Sequence, residues 1–167
     1  TVNEVLLHRH ILKTATDTKL KKYLLSYFLE MIRTTLFRQT QFAEFEYIAH
    51  DKVFNGEPLT KDLMDQTYLD LNKRYYGEHI VSDEEISHEW ARIPHFYSAF
   101  YVYKYATGII SALAIADRIL TEGEPAVKDY FAFLSSGGSN SPVELLKIAG
   151  VDLSKTDAFD KAMNMFK

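Results

Sequence analysis

The sequence contains no cysteine among its 167 residues, and glycine and proline are scarce, at 7 and 4. The absence of cysteine excludes disulfides, thiolate-bound zinc and thiol nucleophiles, so any chemistry must come from His, Asp, Glu, Tyr or Ser. It also fits a cytoplasmic protein. The few glycines and prolines separate long stretches of helical periodicity, and no alternating strand pattern is found. The sequence therefore predicts an all-α fold.

Long hydrophobic runs and an excess of basic residues are also missing from the sequence. No apolar run reaches the roughly 18 residues that a membrane span requires. The net charge of -4 lacks the basic footprint of nucleic-acid-binding proteins. With 47% hydrophobic and 14% aromatic residues, the chain can form a substantial core. We expect one soluble domain with neither nucleic acid nor membrane as a partner.

The helical pattern can be followed along the whole chain. We expect helices at residues 1–13, 18–55, 60–76, 96–122, 125–135, 142–150 and 156–166, with a short helix between residues 82 and 94. The second of these would be nearly 60 Å long, at about 1.5 Å per residue. Such a length exceeds the size of a small independent domain.

Local signals predict several details of these helices. Asp17 is placed to cap the second helix, and Ser82 with Glu85 has the spacing of a capping box. Gly108 lies inside the helix at residues 96–122, where a missing side chain would allow another backbone to approach closely. The buried side of the first helix is expected to carry Val2, Leu6, Leu7 and Ile11.

Six histidines invite a search for a metal site. His88 and Glu89 begin the His-Glu-x-x-His pattern of helical zinc sites, but Arg92 stands where the second histidine should be. His8 and His10 are about 200° apart around a helix, so both cannot face one ion. We interpret these two as surface and half-buried residues, and we predict no metal ligand in the chain.

The segment at residues 94–108 is unusually rich in aromatic residues. If it is helical, residues four apart share a stripe, and two neighbouring stripes result: Tyr97, Tyr101 and Tyr105, and Phe96, Phe100 and Tyr103. A core stripe is one interpretation. The other is the wall of a cleft beside His95, because every buried tyrosine hydroxyl needs a hydrogen-bond partner. The pattern alone leaves both open.

Five blocks occur in order along the chain: TVNE at 1–4, RQTQFAEFE at 38–46, WARIPHFY at 90–97, FYVYKYATG at 100–108 and ELLKIAGVD at 144–152. Together they resemble oligoendopeptidase F, a family of zinc metallopeptidases related to thimet oligopeptidase. The resemblance covers the whole chain. It implies a mostly helical body with a deep channel that encloses zinc and admits only short peptides, and long antiparallel helices of this chain would form one channel wall.

The resemblance also implies which parts of the active site lie elsewhere. In the family a His-Glu-x-x-His helix supplies two zinc ligands and the general base, and a later glutamate supplies the third ligand. That glutamate would fall just upstream of Thr1. We therefore expect residues 1–167 to be a C-terminal part of the catalytic domain that holds no zinc alone. Its exposed apolar face should pack against the missing N-terminal part or mediate self-association.

The resemblance assigns roles to individual residues in the aromatic segment. Tyr103 matches the tyrosine that stabilises the oxyanion, and His95 matches the histidine that contacts substrate. The spacing between them is shorter than in thimet oligopeptidase, so either Tyr103 or Tyr105 is the donor. We interpret Arg38 and Glu44 as buried partners in ion pairs and not as contacts to the substrate. Further candidates for contact with the peptide are Tyr97, Tyr101, Gly137 and Gly138.

Two functions compete at this point. The first is zinc-dependent hydrolysis of internal bonds in short peptides by the full-length protein, for which this chain supplies substrate-binding and oxyanion-stabilising side chains. The second is a non-catalytic helical module of the same ancestry that binds peptides or other proteins. The sequence upstream of Thr1 discriminates between them, because only the first function requires a His-Glu-x-x-His motif there.

Overall fold

A computed structural model describes residues 1–166, and every regular element in that part of the chain is helical. Its α-helices are α1 Val2–Thr14, α2 Thr18–Ile32, α3 Arg38–Phe54, α4 Lys61–Tyr76, α5 Tyr103–Glu122, α6 Glu124–Ser135, α7 Pro142–Ile148 and α8 Asp157–Phe166. A π-helical segment, Arg33–Phe37, joins α2 to α3, and 3₁₀-helical segments cover Glu85–Arg92 and Pro94–Tyr97. The all-α prediction is confirmed. No helix within residues 1–166 is long and apolar enough to cross a membrane.

Side-chain caps account for several helix starts. The Asp17 carboxylate accepts the Lys19 N–H at 3.0 Å, as predicted for the start of α2. The prediction of a cap at Ser82 is wrong. Asp83 instead accepts the Ile86 N–H at 3.0 Å, while the Ser82 hydroxyl accepts from the Asn72 side chain at 2.9 Å.

The long helix predicted for residues 18–55 is present as a helical run from Thr18 to Phe54, but the π-helical segment interrupts it. Its buried apolar side before α3 is narrow and consists of Phe28, Ile32 and Leu36. Leu25 and Leu29, which share the helical spacing, remain 48% and 45% exposed. Periodicity alone therefore overestimates the width of the buried stripe.

The chain clusters into two compact units: residues 1–33 together with residues from 107 onward, and Thr34–Ala106. The core of the first unit consists of Val2, Ala112, Ala114, Ile115, Ala149, Val151 and Ala158. On α1 the prediction that Leu7 is buried is wrong, since it is 59% exposed. Val5 and His8 occupy the buried side with Val2. The interpretation of His8 as a surface or half-buried residue is wrong: it is buried, at 7% exposure, and its Nε2 lies 2.7 Å from the Leu24 carbonyl oxygen.

Two glycines of the first unit differ in their surroundings. A β-carbon added to Gly108 would meet nothing within 4 Å outside its own helix, so the predicted close approach of another backbone is wrong. Gly150 has a φ of 75°, and a β-carbon there would lie 1.9 Å from the Arg118 guanidinium. That guanidinium donates to the Ala149 carbonyl at 2.6 Å. Gly150 therefore permits both the turn after α7 and this contact.

The second unit has an aromatic core formed by Phe42, Phe45, Tyr68, Leu71, Ile93 and Val102. A buried polar network adjoins it. The Glu89 carboxylate accepts from Arg38 at 2.5 Å and from the Tyr68 hydroxyl at 2.6 Å, and it also pairs with Arg92. Glu44 pairs with Arg74 and accepts from Tyr75. The interpretation of Arg38 and Glu44 as ion-pair partners is confirmed, but their side chains are 25% and 31% exposed, so the expectation that they are buried is wrong.

Candidate functional site

The aromatic segment is less helical than its periodicity indicates. Pro94–Tyr97 forms a 3₁₀ turn, residues 98–102 are irregular, and α5 begins only at Tyr103. The predicted helix start at residue 96 is wrong. The two predicted stripes are therefore also wrong, because they required this segment to be an α-helix. In an α-helix the Phe100 N–H would bond within the segment, whereas here it donates to the Glu46 carboxylate at 2.6 Å.

Phe100 marks the point where the chain turns between the 3₁₀ segment and α5. Its φ is 56°, in the left-handed region that a residue with a β-carbon rarely adopts. The Phe100 ring lies 4.7 Å from the ring of His50 on α3 and is 45% exposed. Two residues of α3, Glu46 and His50, thus contact Phe100 and fix the turn.

This turn brings three of the predicted site residues together without a helical stripe. The rings of His95 and Tyr101 stack at 5.7 Å with an angle of 21°, and Tyr105 meets the edge of each at 5.7 Å. The Tyr105 hydroxyl lies 3.3 Å from the His95 Nε2. We call His95, Tyr101 and Tyr105 the aromatic triad. All three side chains are exposed, so their polar atoms are accessible to a ligand.

The electrostatics of the triad favour a protonated tyrosine. The hydrogen bond with Tyr101 is the largest cause that raises the pKa of Tyr105 above its ordinary value. The Lys104 ammonium lies 5.0 Å from the centre of the Tyr101 ring. A tyrosine with an ordinary pKa of about 10 is already protonated at neutral pH, and the upward shift keeps it so. Tyr105 is therefore available as a hydrogen-bond donor to an anionic oxygen.

The two remaining tyrosines of the predicted site flank the triad in sequence. Tyr103 is the first residue of α5 and is 48% exposed. Tyr97 ends the 3₁₀ turn, is 91% exposed and lies on the rim of a cavity of about 260 Å³. Aromatic side chains of the core, including Phe45, Trp90 and Phe96, line this cavity. Tyr97 thus stands between the solvent and an apolar recess.

Gly137 and Gly138 lie in the loop after α6 and belong to the first unit, whereas the triad belongs to the second. Gly137 has a φ of 52°, and a β-carbon at either glycine would meet nothing within 4 Å. The conformation of the loop, and not close packing, requires a glycine at residue 137.

The histidine and glutamate that begin a zinc-like motif are engaged in other contacts. The His88 Nδ1 lies 3.0 Å from Asp65, and Glu89 belongs to the buried network described above. Hydrogen bonds from Lys61 and then His88 hold the pKa of Asp65 well below its usual range. Over residues 1–166, no group of three His, Asp or Glu side chains is arranged to hold a metal ion.

Glu46 was not among the predicted site residues, although the sequence contains a signal for it. Glu46 follows Phe42 by four residues and Phe45 by one, so helical spacing places a carboxylate on the buried side of α3. It is only 5% exposed. Because buried carboxylates are rare without a partner, this position could have indicated a specific acceptor role.

Comparisons with known proteins agree with this fold. The family model for peptidase family M3 matches residues 1–165. The chain is 48% identical over its full length to oligopeptidase PepF of Bacillus subtilis, of which it covers 25%. It is 45% identical over 99% of its length to an oligoendopeptidase F homolog of Borreliella burgdorferi, of which it covers 28%.

Two solved structures are also similar. Oligoendopeptidase-F from Enterococcus faecium superposes with a TM-score of 0.95 at 42% identity, covering 99% of this chain and 32% of that one. A putative peptidase from Chlamydophila abortus gives 0.93 at 44% identity, covering 99% and 28%. The chain thus spans between a quarter and a third of the length of these relatives. Both the family model and the shared fold lead to one conclusion: the chain belongs to peptidase family M3.

Proposed function

We propose that this chain is a C-terminal part of the catalytic domain of a zinc-dependent oligoendopeptidase that hydrolyses internal bonds of short peptides. Membership of family M3 and the similarity to an oligopeptidase and to an oligoendopeptidase F homolog support this assignment. One family match extends over residues 1–165, which supports a single catalytic domain that includes both compact units. The absence of cysteine suits a role in the cytoplasm.

Zinc in such an enzyme would polarise the scissile carbonyl and activate water. The side chains of residues 1–166 do not fit the role of its ligands, because no three of them converge. In the proposal the zinc ligands and the general base therefore come from other parts of the full-length protein. This chain contributes groups that contact the peptide.

The proposed contribution of this chain is a tyrosine hydroxyl that donates to the oxyanion. Attack of water on a peptide carbonyl places a negative charge on the carbonyl oxygen, and a fixed donor stabilises this charge more than the neutral ground state. The exposed aromatic triad carries the argument, because it holds the Tyr105 hydroxyl beside His95 where a ligand can reach it. Tyr103 at the start of α5 is the alternative donor. His95 contacts Tyr105 and would orient it or bind the peptide.

Tyr97, Tyr101, Gly137 and Gly138 are proposed to contact the peptide. Tyr97 has the exposure and the adjoining recess that binding of an apolar side chain would require. Gly137 and Gly138 could offer backbone groups that no side chain covers. These contacts would affect KM more than kcat, because they act away from the reacting carbonyl.

The remaining part of the protein is proposed to cover apolar side chains that are exposed here. Tyr23 and Tyr27 on α2 are 65% and 46% exposed, and their rings stack at 6.5 Å. Patches of this kind usually mark an interface. Expressed without the rest of the protein, the chain should self-associate through them.

The proposed function is tested by comparing the full-length protein with the 167-residue chain. The full-length protein should cleave internal bonds of short peptides and contain one tightly bound zinc, and dialysis against a chelator should abolish cleavage. The isolated chain should show neither property. A full-length protein that lacks a His-Glu-x-x-His motif and cleaves no peptide would support the non-catalytic module instead.

A further inference from the structure

Phe100 adopts a strained backbone conformation. Among residues 1–166 it is the only non-glycine residue with a positive φ, at 56°. Such a conformation brings the β-carbon close to the backbone, and it persists only where surrounding contacts enforce it. Phe100 is 45% exposed, so burial of its side chain is not enough to stabilise the positive φ, and another contact is required.

Glu46 supplies the strongest polar contact to this position. Its carboxylate, on α3, accepts the Phe100 N–H at 2.6 Å across 54 residues of sequence. Glu46 is only 5% exposed, and within residues 1–166 it forms no ion pair with Lys or Arg. A short hydrogen bond from a backbone amide to a side-chain carboxyl oxygen can therefore fix the backbone at this position.

The position of Phe100 explains why this contact matters for the proposed site. Phe100 immediately precedes Tyr101 of the aromatic triad, and α5 begins three residues after Phe100, at Tyr103. The φ of Phe100 therefore sets the direction in which the chain enters α5. A change there would move the Tyr103 and Tyr105 hydroxyls relative to His95.

We propose that Glu46 is a positioning residue that holds Phe100 in its left-handed conformation and thereby fixes the tyrosine donors. This inference rests on the proposed function for its effect on catalysis, but the hold on Phe100 can be measured independently. Glu46 also lines the recess beside Tyr97, where it would affect peptide binding, but its positioning role concerns the tyrosine donors. It acts through one backbone amide.

The first test replaces the acceptor in the full-length protein. Glu46→Ala should accelerate hydrogen exchange at the Phe100 amide by about tenfold or more, because its partner is lost. The kcat for a short peptide should fall about 10- to 100-fold, since a displacement of about 1 Å at a reacting group has effects of this size. A change in KM would report the separate place of Glu46 in the lining of the recess beside Tyr97, whereas the positioning role is measured by kcat and by the exchange rate. Glu46→Gln keeps an acceptor oxygen and should lie between wild type and Glu46→Ala.

Glu44→Ala is the matched control, because Glu44 lies on the same helix and pairs with Arg74 and Tyr75 instead. It should leave both the exchange rate and kcat close to wild type. If Glu46→Ala and Glu44→Ala give equal losses, the effect is one of general stability and the positioning role is wrong.

The second test asks whether backbone strain is the reason for the dependence on Glu46. Glycine adopts a positive φ without strain, whereas alanine retains the β-carbon and lacks only the ring. The loss of kcat caused by Glu46→Ala should therefore shrink to about threefold or less in the Phe100→Gly background. In the Phe100→Ala background it should persist. Equal losses in the two backgrounds would overturn the proposal.

The two proposals fail in different ways. If the wild-type full-length protein cleaves no peptide, the proposed function fails, and the exchange rate of the Phe100 amide alone supports or overturns the hold by Glu46. If the wild type is active and Glu46→Ala keeps both its kcat and slow exchange, the positioning role is wrong and the proposed function stands.

Discussion

Two groups of polar and aromatic side chains in the second unit use their hydrogen bonds differently. Around Glu89, the partners Arg38, Tyr68 and Arg92 direct their donors at one buried carboxylate. In the aromatic triad, the polar atoms of His95 and Tyr105 contact each other at 3.3 Å and remain exposed.

The difference indicates how the two groups contribute to the protein. A buried charge without partners is costly, so the network around Glu89 must be satisfied for the unit to fold. The triad follows a strained turn and presents donors to solvent, features that add little to folding and suit a binding site. Substitutions in the network should therefore lower stability, and substitutions in the triad should lower turnover.

The largest loss of stability is expected for Glu89→Gln. It removes a carboxylate that is 4% exposed and leaves Arg38, itself only 25% exposed, without its charge partner. Breaking a buried ion pair costs about 3–5 kcal/mol, and we expect the lower end because Arg38 retains some solvent. Urea unfolding followed by circular dichroism measures the loss. Glu144→Gln, in an exposed pair with Lys147, should change stability by about 0.5 kcal/mol or less.

A smaller loss is expected for Tyr68→Phe, which removes one donor to Glu89 and keeps the ring in the core. Tyr68 is fully buried, and its hydroxyl lies 2.6 Å from the carboxylate. A hydrogen bond to a charged group is worth about 1.5–3 kcal/mol. The same substitution at the exposed Tyr105 should change the free energy of unfolding by about 0.5 kcal/mol or less. Equal losses at the two tyrosines would remove the distinction between the groups.

The smallest expected effect is a loss of folding stability at acidic pH. Burial alone would raise the pKa of Glu89, but hydrogen bonds from Arg38 and Tyr68 outweigh it and hold the pKa below the ordinary value of 4.5. A carboxyl whose pKa is lowered in the folded state stabilises the protein above pH 4.5, and this contribution is lost as the pH falls through the lowered pKa. Unfolding measured between neutral pH and about pH 3 should show this decline. In Glu89→Gln the decline should be shallower.

Local sequence signals predict much of the fold, because the interactions behind them are local. Asp17 caps α2, and Gly77 ends α4, within a few residues of the backbone groups that they affect. The spacing of Phe42 and Phe45 likewise anticipates the buried side of α3.

The candidate site was predictable only in its composition. His95, Tyr101 and Tyr105 do come together, but not as part of a helical stripe. The turn that joins them depends on a contact between Glu46 and Phe100, which are 54 residues apart. Tyrosines spaced by four residues predict a helix. A hydrogen bond between one backbone amide and a side chain distant in sequence leaves no local pattern that would predict it. The same applies to Glu89, whose partner Arg38 is 51 residues away.

The central claim is that an exposed tyrosine of this chain stabilises the oxyanion during peptide hydrolysis. It is tested most directly by kcat of Tyr103→Phe and Tyr105→Phe in the full-length protein, with zinc content and unfolding as controls. One variant should lose about 100- to 1000-fold in kcat, as expected for the loss of one oxyanion donor, while KM, zinc content and stability remain near wild type. A loss confined to Tyr105→Phe would assign the donor to Tyr105. If both variants retain more than half of the wild-type kcat, the claim is contradicted.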